Sequence, residues 1–297
     1  HSFPRRVLFR SSVLTILGIV IGVAAVVTMV TLGNGTTKSV SDQIASLGSN
    51  LLIVMPGQRM GPARDGASAP PLKVADAAAI AEQLNGLKAV APSAGSSVTV
   101  VSEARNWTTQ VTGTTSPYFI AGNWKLAGGR VFTDAEERAG AAVCVLGETV
   151  RTKLFGSASP VGSSIRVKQF SCEVIGLLQS KGQASMGQDQ DDVVLVPLRT
   201  LQRRITGSQD IRQIQVAAAD GTSTDRVKAS IESLMRERRH IGAGENDDFN
   251  VLDTKQIAQT MTGTTTLLTT LLSAVAAVSL LVGGIGIMNI MLVSVTE

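Results

Sequence analysis

The stretch from Ser11 to Thr37, SSVLTILGIVIGVAAVVTMVTLGNGTT, holds no charged residue, and its apolar heart is Val13–Leu32. A second uncharged stretch runs from Gln256 to Thr296, with its heart at Leu267–Val295, LLTTLLSAVAAVSLLVGGIGIMNIMLVSV. A helix rises about 1.5 Å per residue, so roughly 20 residues cross a hydrocarbon core of about 30 Å. Both stretches meet that length. The pattern predicts two membrane helices bracketing one large, polar extramembrane domain.

Orientation follows from charge. Arg5, Arg6 and Arg10 precede the first apolar stretch, and no acidic residue occurs before Asp42. Positive flanks stay cytoplasmic, so the amino terminus is expected inside, the central domain outside and Glu297 back in the cytoplasm. The competing reading is a secretory signal peptide, whose apolar core of about 7–15 residues ends at a small-residue cleavage site. Here the apolar run is longer and continues into a polar helical pattern, which favours an uncleaved span. Setting aside the three arginines and Glu297 leaves 24 basic against 22 acidic residues. Such a balance does not suggest a nucleic-acid surface. With no initiator methionine and an end one residue past an apolar stretch, the chain reads as a fragment.

The central region alternates between strand and helix periodicities. Leu51–Met55 is a β-type run closed by Pro56-Gly57, and 57–71 is a Gly/Pro/Ala-rich loop. Lys73–Leu84 reads as a helix with Ile80 and Leu84 on one face. Ser96–Val101 and Thr108–Thr112 read as a hairpin joined by Glu103–Asn106, and Ile211–Ala217 as a further strand. Ser223–Arg239 is a helix with Val227, Ile231, Leu234 and Met235 on its apolar face, Thr222 or Ser223 as N-cap and Gly242 just beyond its end. Phe249–Leu252 is a last strand.

These outer parts spell β-α-β-β-α-β, a split βαβ pattern in an α+β fold. Between Ser116 and Ser208 an insertion carries strand candidates Ala142–Leu146, Ser164–Val167, Cys172–Leu177 and Val193–Pro197, with one helix at Glu148–Leu154. Its loop Gly176–Asp192, containing KGQASMGQDQDD, is expected to be polar, unpacked and mobile. Next to the apolar stretches, Val40, Ile44 and Leu47 form one stripe on a helix Thr36–Leu47, and Ile257 and Met261 lie on another helix, Asp253–Met261. The two are expected to pair as a stalk. The predicted organisation is a cytoplasmic segment 1–12, membrane helix 13–35, stalk 36–48, split domain 49–115 and 209–252 around the insertion 116–208, stalk 253–266 and membrane helix 267–296.

The inventory of chemistry is largely negative. No phosphate-binding loop ending in Lys-Ser/Thr occurs, so no cofactor is expected in this chain, and no residue stands out as catalytic or cofactor-binding. His1 and His240 are the only histidines, and no zinc-ligand spacing is present, so no metal site is read. His240 follows RERR at a helix carboxyl end, where a cation is favourable. Asp189, Asp191 and Asp192 lack the spaced oxygen ligands of an EF-hand and read as a solvated loop. Arg203-Arg204 and Arg236–Arg239 read as solvated helix faces, with an acidic partner or lipid as the alternative. Cys144 (AAVCVLG) and Cys172 (FSCEVIG) read as small buried thiols, with one disulfide as the alternative. Gly18 and Gly22 make a G-x-x-x-G, and Gly283, Gly284 and Gly286 cluster in the second stretch, where small residues let helices approach in lipid. Neither stretch carries a charge for an ion relay.

Taken together, LTILGIVIGVAAVVTMVTLGNG, SLGSNLLIVMPG and LVGGIGIMNIMLVSVTE resemble the first span, outward strand and second span of MacB-type ABC transporter permeases. GRVFTDAEE, VCVLGETVRTKLFG, PVGSSIRV, VIGLLQSKG and DDVVLVPLRTLQRRITG resemble that family's extracytoplasmic core in the same order. The resemblance implies a porter subdomain interrupted by a sabre subdomain, in a multi-pass protein of the cell (inner) membrane whose central domain is periplasmic or extracellular. It implies four spans, with a cytoplasmic coupling segment starting at Glu297, and hence two spans and an ATPase domain beyond this chain. The implied partners are a cytoplasmic ABC ATPase using ATP and Mg²⁺, a second permease copy in a dimer, membrane lipid, and a periplasmic adaptor with an outer-membrane channel. The function implied is ATP-driven efflux of macrolides, peptides or lipid-linked cargo, with motion passed outward along the stalks. An FtsX-like regulator of cell-wall hydrolases is the alternative, and a membrane-anchored sensor or enzyme a third reading.

Overall fold

In LLIVMP, alternate side chains must face opposite ways, and this sets the layering of the whole outer domain. The structure, a computed structural model, describes residues 50–57, 69–103, 105–183 and 188–296, with 20, 23–24, 27–31, 33 and 35 of the first apolar stretch. The chain divides into two units, 43–257 and the apolar stretches 1–42 with 258–297.

Unit 43–257 holds all the strands among the described residues. Strands β1 (Leu51–Pro56), β2 (Leu87–Ser102), β9 (Gln213–Ala218) and β10 (Phe249–Asp253) lie in the order β10-β1-β9-β2, every pair antiparallel. That is the strand order of a split βαβ sheet. Helices α1 (Val74–Gln83) and α6 (Thr224–Arg238) supply its cover. Leu52, Val54, Ile214, Val216, Phe249 and Val251 form one cluster with Ile80 of α1 and with Val227, Ile231, Leu234 and Met235 of α6. Ser223 occupies the N-cap position of α6, although its side chain makes no capping bond.

Strand β3 (Arg105–Thr114) departs from the expected arrangement. The sequence puts it beside β2 in the outer domain, and the pair is indeed a hairpin, but β3's other neighbour is β8 (Val193–Pro197) of the insertion, in parallel. From there the ladder runs through β5 (Val143–Leu146) and β7 (Phe170–Leu178) to β6 (Ser164–Val167), and β6 pairs back onto β2 at Val100↔Val167. The inserted strands therefore close into a barrel only by borrowing β2 and β3. Its interior takes alternate residues, among them Val100, Val111, Leu146, Val174 and Val194. Cys144 and Cys172 belong to the same cluster as buried free thiols, and burial pushes the Cys144 thiol up.

Short elements around the barrel were not legible as such. They are α2 (Pro117–Ala121), β4 (Leu126–Gly129), α3 (Asp134–Ala139) and α5 (Leu198–Leu201), which runs into a π-helical turn, Gln202–Thr206. The expected helix is present as α4 (Glu148–Phe155). A signal for α3 was available in T-D-A-E, since Thr133 and Glu136 form a capping box. Arg130 holds the Glu136 carboxylate through two bonds of 2.8 and 2.7 Å.

That guanidinium, and secondarily Thr133, lowers the Glu136 pKa to about 2. A depressed folded-state pKa contributes stability above the unfolded value of about 4.3, and this is lost as pH falls towards 2. Arg130 is half-exposed, so solvent screens the pair. Glu136→Gln should cost about 1–2 kcal/mol at pH 7 and far less at pH 3, as read by urea denaturation at the two pH values.

Two charged segments also differ from expectation. The Arg236–Arg239 run is not a solvated face: Arg236 pairs with Asp247, Arg238 with Asp76 at 3.2 Å and Arg239 with Asp248 at 2.9 Å. These pairs tie the end of α6 to α1 and to the approach to β10. His240 takes a left-handed conformation, φ 54°, just past the helix, and its N–H donates to Glu237 O. The aspartates of the 176–192 loop are not free in solvent either. Asp192 accepts from Trp107 Nε1 at 2.9 Å, Asp189 from Thr149 Oγ1 at 2.6 Å, and Asp191 is 4% exposed. Among the described residues no group of His, Cys, Asp and Glu is placed to hold a metal ion. Residues 184–187 of the expected mobile loop lie outside those described.

Candidate coupling helix and its anchorage

The expected stalk Asp253–Met261 and membrane helix 267–296 are one element, α7 (Thr254–Thr296), 43 residues without a break. Its first turn is fixed by local chemistry. Asp253, 3% exposed, accepts from the Lys255 and Gln256 backbone N–H groups at 2.8 and 3.4 Å, the bonding of an N-cap. Thr254 donates its hydroxyl to Leu51 O at 2.8 Å, a bond that fastens the helix start to β1. Lys228 of α6 reaches Gln256 at 3.3 Å. Leu52 stands opposite Asp253 in the ladder, so the strand that follows the first apolar stretch and the strand that precedes the second are immediate neighbours.

Further along, Thr266–Gly286 is the one helix among the described residues long and apolar enough to cross a membrane, 21 residues at a mean hydropathy of 2.1. Leu267, Leu271, Val275, Val278, Leu281 and Val282 are 62–67% exposed. A contiguous apolar surface of that kind requires lipid or a partner helix. Its hydroxyls are spent internally: Thr270 donates to Thr266 O at 2.8 Å and Ser279 to Val275 O at 2.9 Å. Val20, Val23, Val27 and Met29 of the first apolar stretch are helical and 41–58% exposed.

A Cβ added at Gly33 would lie 2.8 Å from Thr269 Oγ1. At Gly284 and Gly286, expected to be packing glycines, an added Cβ meets nothing within 4 Å, and Gly283 is half-buried. Gly284 and Gly286 thus face open space among the described residues. Ile257 is 41% exposed, and Met261 lies in the same helix. Gly18, Gly22, Val40, Ile44, Leu47 and Glu297 fall outside the described residues.

A family model described as the MacB-like periplasmic core domain matches residues 12–234. The chain belongs to that family. The MacB-like likeness extends to whole-chain relatives. The macrolide export ATP-binding/permease protein MacB of Rhodospirillum rubrum is 44% identical over 98% of this chain and 44% of that protein. MacB of Azoarcus is 41% identical over 98% of this chain and 43% of its own length. The pyoverdine export ATP-binding/permease protein PvdT of Pseudomonas entomophila is 37% identical over 97% and 43%. The chain thus spans less than half the length of these relatives.

Among solved structures, the periplasmic region of MacB from Actinobacillus actinomycetemcomitans superposes with a TM-score of 0.62, at 23% identity over 75% of this chain and 97% of that one. The extracellular domain of the noncanonic ABC-type transporter YknZ gives 0.54, at 20% identity over 68% and 100%. At those identities the likeness is one of fold. The mixed α/β core of 43–257 is accordingly a MacB-like periplasmic core domain, and α7 supplies a helix of membrane-spanning length.

Proposed function

We propose that the chain is the permease part of an ATP-driven exporter of the MacB type, with a cytoplasmic ABC ATPase supplying ATP and Mg²⁺ chemistry and a second copy completing a dimer. The observation that carries this reading is the 44% identity over 98% of the chain to a protein named as a macrolide exporter. Export cargo then falls among macrolides, peptides or lipid-linked molecules, passed on to a periplasmic adaptor and outer-membrane channel where the cell has them. The named relatives are exporters, which favours export over the regulatory alternative.

The mechanism we favour is mechanical. α7 is one continuous helix, and Asp253 and Thr254 fix its first turn beside β1, so we take it as the lever. A contact made at the cytoplasmic end then biases the outer domain, provided its states differ in contacts there. Ile257, exposed on the first turns, is where the partner stalk of 36–48 is expected.

Ile257→Asp, or Ile44→Asp on the other side, should leave expression and ATP hydrolysis intact in the assembled transporter while lowering export at least tenfold. Export at the wild-type rate with normal expression rejects the mechanical reading. Loss of the ATPase association in the unmodified chain rejects the permease assignment itself.

A further inference from the structure

The paired arginines 203 and 204 part company in the fold. Arg204 lies over the Phe170 ring, 5.4 Å from its centroid, whereas Arg203 lines a cleft of about 690 Å³ together with Arg138 and Arg199. That volume falls within the ~300–1,000 Å³ of small-molecule sites. The cleft belongs to unit 43–257, where the end of α3 and the helical run from α5 meet the first residue of α1, Val74.

Local chemistry sets the three arginines side by side. Arg199 donates from Nη1 to Arg138 O at 2.7 Å, which closes the carboxyl end of α3 and fixes the two residues as neighbours. The chains touch again at Gly140, where an added Cβ would lie 3.3 Å from Arg199 Cβ. Arg203 follows Arg199 by four residues on the unbroken run Leu198–Thr206, so both leave the same side of it.

None of the three forms an ion pair with a carboxylate among the described residues, unlike Arg236, Arg238 and Arg239, which each hold an aspartate. The one acidic residue of the lining, Glu137, is already committed: one of its oxygens accepts from both the N–H and the hydroxyl of Ser116. Three guanidiniums against one carboxylate leave the lining with a net charge of +2. Arginine keeps its proton at any physiological pH, so that charge is permanent. A concave wall focuses the field it creates.

The counter-charge selects the ligand. A phosphate monoester carries about −1.5 to −2 at pH 7 and presents three terminal oxygens, matching both the net charge and the number of guanidinium forks. A single carboxylate carries half that charge and is satisfied by one fork. We infer that this cleft binds a phosphate monoester, with Arg138, Arg199 and Arg203 as its ligands. A soluble phosphate ester and a lipid headgroup offer the same group, and the test separates them. The site is distinct from α7, and the test needs neither ATP hydrolysis nor export.

Glycerol 2-phosphate is titrated calorimetrically into the full chain in a neutral, phosphate-free detergent buffer. A second arm uses dioctanoyl phosphatidic acid, with dioctanoyl phosphatidylcholine as its blank. Saturable binding of one ligand per chain is expected. Uptake of glycerol 2-phosphate identifies a soluble ester as the source, and uptake of phosphatidic acid alone identifies a headgroup; both uphold the site. Arg199→Gln and Arg203→Gln should each weaken binding at least tenfold, and Arg226→Gln, at an exposed position of α6 outside the cleft, should leave it unchanged. Arg203 is exposed and makes no hydrogen bond or ion pair among the described residues, so its variant keeps the thermal midpoint within about 2 °C even where Arg199→Gln loosens α3. No saturable heat in either arm overturns the assignment, as does wild-type affinity in both cleft variants. So does an equal loss in Arg226→Gln, or succinate, a dianion of two separate carboxylates, binding as tightly as glycerol 2-phosphate.

Discussion

Asp191→Ala should lower the thermal midpoint of the 43–257 unit by about 10 °C, a loss of about 3–5 kcal/mol. The carboxylate is 4% exposed and accepts three bonds, from the Ser180 hydroxyl and from the Lys181 and Gly182 backbone N–H groups at 2.8 and 3.0 Å. Truncation strands these donors in a place water reaches poorly, and it removes the negative charge beside Lys181, whose pKa burial already lowers to about 8. Asp189→Ala is the matched control. That residue is exposed and gives up the Thr149 hydroxyl and the Asp191 N–H, so a loss near 1 kcal/mol is expected. Equal midpoints for the two variants would show that the loop is held by something other than Asp191.

Gly147→Ala attacks the same loop from the other side, by volume instead of charge. Gly147 donates its N–H to Val193 O at 2.9 Å, and an added Cβ would fall well inside contact with Asp191 O, 2.9 Å from that carbonyl carbon and 3.2 Å from Val193 O. All three obstacles are backbone, so no rotamer change relieves them. A cost of about 3 kcal/mol is expected, at the upper end for an overpacked methyl. Because the clash displaces the segment that carries Asp191 and Val193, amide exchange should accelerate at 188–193 more than in β1 or β9. Uniform protection in the variant would contradict the account.

How far the sequence foretold the fold depends on how local each signal is. β1, α1, α6, β9 and β10 were legible because each carries its own periodicity. Leu52 and Val54 alternate inward, and Val227, Ile231, Leu234 and Met235 all turn out buried. The first half of β2 was not legible, since LKAVAPSAG offers Ala, Gly and Pro where strands prefer branched residues. Pro92 is accommodated there facing Ile214, and its carbonyl accepts the buried Thr114 hydroxyl at 3.0 Å.

Pairings between distant segments were invisible by their nature. Nothing in the β3 sequence says that its second neighbour lies some eighty positions away in β8. The aspartates of the 189–192 run and the arginines of 236–239 looked solvated because their partners, Trp107, Ser180, Asp76 and Asp248, adjoin them only in the fold. QIQVAA alternates amides with aliphatics, which marks a polar face, but what lies against that face depends on neighbours that no pattern names.

Strand β2 is 16 residues long, and its two halves serve different sheets: 87–93 pairs with β9, and 94–102 with β3 and β6. One ribbon is thus woven through both lobes, so no cut in the chain can separate the barrel from the helix-backed layer without severing hydrogen bonds in each. A tug on either lobe reaches the other through covalent backbone, and neither can melt while its neighbour stays whole.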